Sequence, residues 1–230
     1  MAVILVLFTF AAILVIDHFY SKRKGVQPIL VQEVVQPPAY MAAEVAPRLR
    51  PSVVSGFQVP DNVRYHPGHT WALSESPKLV RVGMDDFASK LLGKVEKINL
   101  PQRGQWIRQG QKMITVERKG VKIDLVSPIE GSVSDINETL TQDPTLARND
   151  PYGEGWLVTV QAPDSKTNFR NLLGGALARG WMEEAAARLQ QRMPQFAGAL
   201  AQDGGVVIDG LAEQLPEKDF TSIAREFFLG

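Results

Sequence analysis

The sequence predicts a small β-rich domain, a barrel or a sandwich, with an apolar segment before it and a helical extension after it. Between residues 63 and 162, short apolar runs alternate with Gly, Pro, Asn and Asp residues that are typical of turns. Residues 1–16 contain a single polar side chain, Thr9. Beyond residue 180, apolar residues recur at helical spacing.

The composition excludes several classes of function. The chain has 230 residues, with 25 Lys and Arg against 25 Asp and Glu, and no cysteine. Because the formal net charge is zero, we expect no nucleic-acid partner. Without cysteine there is no disulfide, no thiolate nucleophile and no Cys-ligated zinc or iron–sulfur cluster. His66 and His69 are close in sequence, but Pro67 and Gly68 between them break a helix, so we expect no metal site.

Residues 1–20 are predicted to form a transmembrane helix. The apolar run ends at Ile16, and Phe19 and Tyr20 after it suit the membrane interface. The basic cluster Lys22–Lys24 follows the run rather than preceding it, which favours an anchor over a cleaved signal peptide. A buried soluble helix is less favoured because the run is apolar on all sides. The positive-inside rule then predicts a single-pass protein of the cytoplasmic membrane, with its N-terminus outside and its main domain in the cytoplasm.

Residues 21–56 are predicted to form a proline-rich linker. Six prolines lie between residues 25 and 60, and they favour an extended backbone. Two interpretations stay open. The segment is either a tether that holds the domain away from the bilayer or a strap that packs along another subunit.

The predicted domain, residues 57–165, combines several strands with one helix. Asp85 is a suitable N-cap and Gly93 a suitable end for a helix that turns Phe87, Leu91 and Leu92 towards the core. The predicted strands are 79–84, 94–100, 105–110, 112–117, 121–126, 131–136 and 155–162.

Four segments, in order, carry a resemblance to a known family. They are RYHPGHTW (64–71), VGMDDFASKLLGKVEKINLPQRG (82–104), SPIEGSV (127–133) and INETLTQDPTLARNDPYGEGWL (136–157). Together they resemble the glycine cleavage H protein, a relative of lipoyl and biotinyl carrier domains. The resemblance implies a barrel-sandwich hybrid, all-β to α+β in class, and a carrier rather than a catalyst.

The resemblance also implies where a lipoyl lysine would lie, and that position holds glycine. The family bears lipoate on a lysine at a hairpin tip, three residues after a Glu and four before an Asp. Counting from Glu117 and from Asp124 leads to Gly120 both times. We therefore expect no lipoate unless Lys119 or Lys122 replaces the missing lysine. Arg118, Lys119 and Lys122 would leave a basic tip, which is either a solvated turn or a docking patch for an acidic partner.

Residues 166–230 are predicted to form a helical extension. Trp181, Ala185, Leu189 and Met193 recur at helical spacing up to Pro194, and a second helix is predicted near the C-terminus. The second helix has an apolar stripe that docks either on the chain's own core and helix 181–193 or in the groove of a partner protein. The stripe consists of Phe220, Ile223, Ala224, Phe227 and Phe228.

These observations predict a non-catalytic, non-lipoylated structural or interaction subunit of a larger membrane-associated complex. The sequence shows no nucleophile–base constellation and no phosphate-binding loop, so we expect no catalytic residues. Protein partners are expected at residues 21–56, at the basic tip or at the C-terminal helices. The alternative is an active lipoyl carrier, the aminomethyl shuttle of glycine cleavage or of a related lipoate-dependent pathway.

Overall fold

Short strands in three sheets, with helices at their edges, form the part of the chain that the structure describes. The structure is a computed structural model, and it describes residues 52–193 and 215–228. The strands are β1 (Val53–Val54), β2 (Phe57–Gln58), β3 (Arg64–His66), β4 (Thr70–Ser76), β5 (Leu79–Met84), β6 (Lys97–Asn99), β7 (Trp106–Ile107), β8 (Lys112–Arg118), β9 (Val121–Val126), β10 (Gly131–Ile136) and β11 (Val158–Gln161). The helices are α1 (Asp86–Leu92), α2 (Thr139–Gln142), α3 (Leu146–Asn149), α4 (Ser165–Arg170), α5 (Ala176–Arg192) and α6 (Glu217–Phe228).

The three sheets share one hydrophobic core. The largest has the order β3-β4-β5-β11-β10-β7, a second has the order β6-β8-β9, and β1 pairs only with β2. Buried side chains from both larger sheets, among them Trp71, Val160, Ile114 and Leu125, belong to the same cluster. The β-rich fold with a helical C-terminal region is therefore confirmed. The predicted strands 79–84, 121–126 and 131–136 have the bounds that the structure gives them.

Trp71 on β4 fixes the packing of the central strands. Its side chain is fully buried, and its indole N–H donates to the carbonyl oxygens of Met84 at 2.9 Å and Pro151 at 3.0 Å. The opposite residue on β5 is Gly83, where an added Cβ would come within 3.0 Å of the indole ring. Glycine is required there because the ring lies flat against the backbone.

Helix α1 has the predicted ends. Asp85 is the N-cap, and its Oδ1 accepts a hydrogen bond from the backbone N–H of Ala88 at 2.8 Å. Gly93 ends the helix with φ 64°, a conformation that favours glycine. The inward direction predicted for Phe87 and Leu91 is confirmed, since both are fully buried.

A buried ion pair on α1 holds the β1–β2 hairpin. Asp86 Oδ2 accepts hydrogen bonds from Lys90 Nζ at 2.6 Å and from the backbone N–H of Gln58 at 2.7 Å. Lys90 Nζ also donates to the carbonyl oxygen of Gly56 at 3.2 Å. Burial raises the pKa of Asp86, whereas its bonds to Lys90 lower it. Residues 53–56, at the end of the predicted linker, are thus folded against the domain.

The C-terminal helix α6 packs on the chain's own core. All five residues of the predicted stripe are buried, Phe227 lies 5.0 Å from the ring of Phe87, and Arg192 of α5 pairs with Glu226 of α6 at 2.9 Å. This outcome confirms the first of the two predicted docking sites for the stripe.

The predicted transmembrane helix, residues 1–20, and linker residues 21–51 lie outside the described residues. Within the ranges 52–193 and 215–228, no helix is long and apolar enough to cross a membrane.

Candidate functional site

The β8–β9 hairpin ends in a two-residue turn. Arg118 pairs with Val121, so the loop consists of Lys119 and Gly120 alone. Both have positive φ, 47° and 77°, which is the geometry of a type I′ turn and matches the twist of the flanking strands. A lysine in this conformation is uncommon, whereas glycine adopts it freely.

The register of the hairpin leaves no room for another residue at the tip. Pairing runs without interruption from Ile114 opposite Leu125 to Arg118 opposite Val121, and the only irregularity lies before Ile114. Gly120, three residues after Glu117, is therefore the second residue of the two-residue loop. An added Cβ at Gly120 would meet no atom within 4 Å, so the position has space for a side chain.

Two of the three cations predicted at the tip are exposed, and the third is not. Lys119 is exposed, and the Lys122 side chain is 70% exposed, with its Nζ 3.6 Å from Glu117 Oε1. The prediction for Arg118 is wrong. Its side chain is 3% exposed, and its guanidinium lies 4.3 Å from the ring centroid of Phe220 on α6. Helix α6 covers Arg118, so the basic tip consists of Lys119 and Lys122.

The outer face of the hairpin carries compensated charges. Asn99 donates a hydrogen bond to Glu117 at 2.7 Å, and this bond is the main reason that the pKa of Glu117 is lowered. On the next pair, Thr115 donates to Asp124 at 2.7 Å, and Lys112 Nζ lies 3.2 Å from the same carboxylate. These contacts engage the polar side chains along the strands. The two turn residues, Lys119 and Gly120, take no part in them.

His69, considered above as a metal ligand, has a structural role instead. Its Nδ1 donates to Asp85 Oδ2 at 2.8 Å, and its ring stacks on Phe87 at 4.1 Å and lies 4.7 Å from Trp181. His69 and Asp85 are 1% and 0% exposed. No group of three or more potential ligands occurs within residues 52–193 and 215–228.

His66 does not join His69. Its Nδ1 accepts a hydrogen bond from the backbone N–H of Gly68 at 3.0 Å, and burial lowers its pKa. A signal for the His69–Asp85 pair is present in the sequence: His69 directly precedes β4 and Asp85 directly follows β5, and these two strands pair with each other. Nothing in the sequence near His69 indicates that its ring packs on Trp181.

A family model described as "Glycine cleavage H-protein" matches residues 63–184, which is more than half of the chain. The chain belongs to the glycine cleavage H-protein family. Proteins of this family are carriers rather than catalysts, and they normally carry lipoate. Helix α6 and the β1–β2 hairpin lie outside the matched residues.

Two glycine cleavage system H proteins agree with the family match. A glycine cleavage system H protein of Anaeromyxobacter sp. (strain K) is 33% identical over 128 residues, which are 56% of this chain and 98% of the relative. That of Coprothermobacter proteolyticus is 35% identical over 108 residues, 47% of this chain and 85% of the relative. The crystal structure of a glycine cleavage system H protein from Mycobacterium marinum is similar with a TM-score of 0.47 and 28% identity, and it covers 53% of this chain and 97% of that chain.

Proposed function

We propose that this chain is a non-lipoylated member of the H-protein family that serves as a structural or interaction subunit. The observation that supports the proposal is the tip of the β8–β9 hairpin, where glycine occupies the position at which the family resemblance implies an acceptor lysine. The uninterrupted register from Ile114 to Val121 supports a count without a gap across the tip, which leads to Gly120. Glycine has no amine, so it cannot form the amide bond that attaches lipoate.

The surroundings of the tip agree with a change of function. Helix α6, which lies beyond the family match, packs its Phe220 on Arg118 at the base of the turn. A rigid turn with an exposed amine is the requirement for a swinging arm. Here the rigid turn is kept, and a helix is added beside it.

Intact-mass measurement tests this proposal. The full chain is co-expressed with a lipoate ligase and lipoate, as wild type, as Gly120→Lys and as Lys119→Ala. We expect no lipoyl increment on wild type and an increment on Gly120→Lys, which would show that the scaffold still presents the tip. A wild-type increment that disappears in Lys119→Ala would overturn the proposal.

One observation favours a second candidate, the active lipoyl carrier. Lys119 is exposed at the tip and directly precedes Gly120, so its amine is available to solvent. Modification there would require the ligase to accept a lysine one residue away, with its side chain directed differently from the family position. Lys122 is a weaker acceptor, because it lies down strand β9 and beside Glu117 at 3.6 Å.

We also propose that residues 1–20 anchor the subunit in the cytoplasmic membrane with the domain inside. The support is the apolar run followed by Lys22–Lys24. Protease added to intact cells should leave residues 57–165 uncut. Digestion of that domain from outside would overturn the orientation.

A further inference from the structure

Helix α1 is covered by segments from both ends of the chain. The β1–β2 hairpin lies N-terminal to the family match over residues 63–184, and helix α6 lies C-terminal to it. Phe87 of α1 is fully buried, and it contacts both segments. Its ring centroid lies 4.9 Å from that of Phe57 in the hairpin and 5.0 Å from that of Phe227 in α6. One side chain is therefore shared by the packing of the two extensions.

The β1–β2 hairpin is held on α1 by a side chain as well as by its backbone. Phe57 is fully buried, so its ring is removed from water only while the hairpin is docked. The backbone N–H of Gln58 donates to Asp86 Oδ2 at 2.7 Å, and the Tyr152 hydroxyl donates to the Gln58 carbonyl oxygen at 2.8 Å. Undocking the hairpin would thus leave the buried Asp86 carboxylate without one of its donors.

Helix α6 packs against the same ring and against its neighbour His69. The ring of Phe227 lies 6.0 Å from that of His69, which stacks on Phe87 at 4.1 Å. Two turns earlier in α6, Phe220 covers the Arg118 guanidinium at the base of the β8–β9 turn. Because a helix moves largely as a rigid element, a displacement at Phe227 also moves Phe220.

Loss of either extension would uncover one side of Phe87. A buried ring gains dispersion contacts and burial from every side, and it forfeits those of the side that is vacated. Protein interiors pack too densely to keep a large void, so the ring shifts towards the vacated side and weakens the contact that remains. Docking of the hairpin and docking of α6 therefore stabilise each other, and thermodynamic linkage makes this effect reciprocal.

We propose that the β1–β2 hairpin and helix α6 form a conformational coupling device, in which each extension stabilises the docking of the other through Phe87. Release of the hairpin loosens α6 and so uncovers Arg118 beside the tip of the β8–β9 hairpin. The β1–β2 hairpin begins at Val53, directly after linker residues 21–51 and Ser52. A partner that binds the linker and draws the hairpin away would therefore change the surroundings of the tip without touching it.

Hydrogen exchange of the full chain in detergent, followed by mass spectrometry of its peptides, tests the coupling. Phe57→Ala should make the α6 amides exchange at least about tenfold faster than in wild type, while the amides of β10 and β11 keep their wild-type rates. Val53→Ala is the matched control, because Val53 belongs to the same hairpin but is 44% exposed, and it should leave α6 unchanged. In the reverse direction, Phe227→Ala should accelerate exchange in the peptide that contains Gln58.

The reactivity of Arg118 gives a second readout. Phenylglyoxal modifies accessible arginine side chains, and Arg118 is 3% exposed, whereas Arg108 is exposed. Phe57→Ala should speed the modification of Arg118 and leave that of Arg108 unchanged. If Phe57→Ala does not fold, Phe57→Leu keeps an apolar side chain but loses the ring contact, and it should change both readouts in the same direction by less.

Two results would overturn the proposal. Unchanged exchange of α6 in both Phe57 variants would show that the hairpin and the helix are independent. Acceleration that extends equally to β10 and β11 would show a general loss of stability instead of a coupling between the extensions. The exchange experiment measures packing and the mass assay measures modification of the tip, so this proposal and the proposed function can fail separately.

Discussion

The chain has two places where residues other than glycine adopt positive φ inside the family match, and their surroundings are opposite. His69, with φ 60°, is buried among aromatic rings and bonded to Asp85. Lys119, with φ 47°, stands in solvent beside Gly120, where an added Cβ would touch nothing. The unusual backbone at His69 is thus held by packing, whereas that at the tip is held only by the turn. It follows that a substitution at the tip disturbs the fold less than one at position 69.

The largest expected effect is on the packing of helix α6 against the core. Phe227 is 2% exposed and packs on Phe87 and His69. Phe227→Ala should lower the free energy of unfolding by about 3–5 kcal/mol, because a buried ring leaves a cavity. Denaturant unfolding measures it. Lys218→Ala, on the exposed side of the same helix, should change stability by less than about 0.5 kcal/mol. Equal effects of the two variants would show that α6 does not pack as described.

The next effect concerns the His69–Asp85 pair itself. Asp85→Ala removes the N-cap of α1 and leaves His69 Nδ1 without its acceptor, so it should cost about 2–4 kcal/mol. Asp85→Asn keeps an oxygen that accepts from the Ala88 N–H, and its amide NH2 can donate to His69 Nδ1 when that nitrogen is the unprotonated one, so it should cost less. Thermal unfolding of the two variants checks this order. A loss as large in Asp85→Asn as in Asp85→Ala would mean that the negative charge, not the hydrogen bonds, is what matters.

A pair of glycine substitutions compares the buried fold with the tip. Gly83→Ala drives a methyl group into the fixed indole ring of Trp71 and should cost about 1–3 kcal/mol. Gly120→Ala meets no atom, and its positive φ alone should cost about 1 kcal/mol. Chemical denaturation of both variants gives the comparison. If Gly120→Ala proved the more damaging, the tip would not be the permissive position that we describe.

The smallest effect is a change in protonation. Asn99 is the main cause of the lowered pKa of Glu117 on the hairpin, so Asn99→Ala should raise that pKa towards the ordinary value. A carboxyl group whose pKa is lowered in the folded state stabilises that state at pH values above the unfolded pKa. This stabilisation is lost as the pH falls through the folded pKa. Carbon-13 NMR titration of the Glu117 carboxyl measures the shift. Lys122→Ala should raise the pKa less, and the reverse order would contradict the described contacts.

Local signals in the sequence were sufficient for some of the elements inside the family match, whereas strands β3 and β4 and the short helices α2 and α3 were not predicted. Asp85 and Gly93 mark the ends of α1 because capping depends on neighbouring backbone groups. The alternation of apolar residues over 121–126 and 131–136 gives strands with the observed bounds. The tight turn at the hairpin tip could also be predicted from Gly120, because a type I′ turn needs positive φ at both loop residues and glycine adopts it freely.

What the sequence did not predict depends on distant contacts. Arg118 was expected in solvent, and its burial is due to Phe220, a hundred residues later in the chain. The hydrogen bonds from the backbone N–H of Gln58 to Asp86 and from Lys90 to the carbonyl oxygen of Gly56 likewise join segments that are distant in sequence. Periodicity indicates that α6 has an apolar face, but it does not say which part of the core that face covers.

The central claim is that the fold of the carrier is kept while its acceptor is absent. The most direct measurement is the intact mass of the chain purified from the cells in which it naturally occurs, followed by peptide mapping of the β8–β9 hairpin. The account predicts the mass of the polypeptide without a lipoyl increment and unmodified Lys119 and Lys122. A lipoyl group found on Lys119 would contradict it.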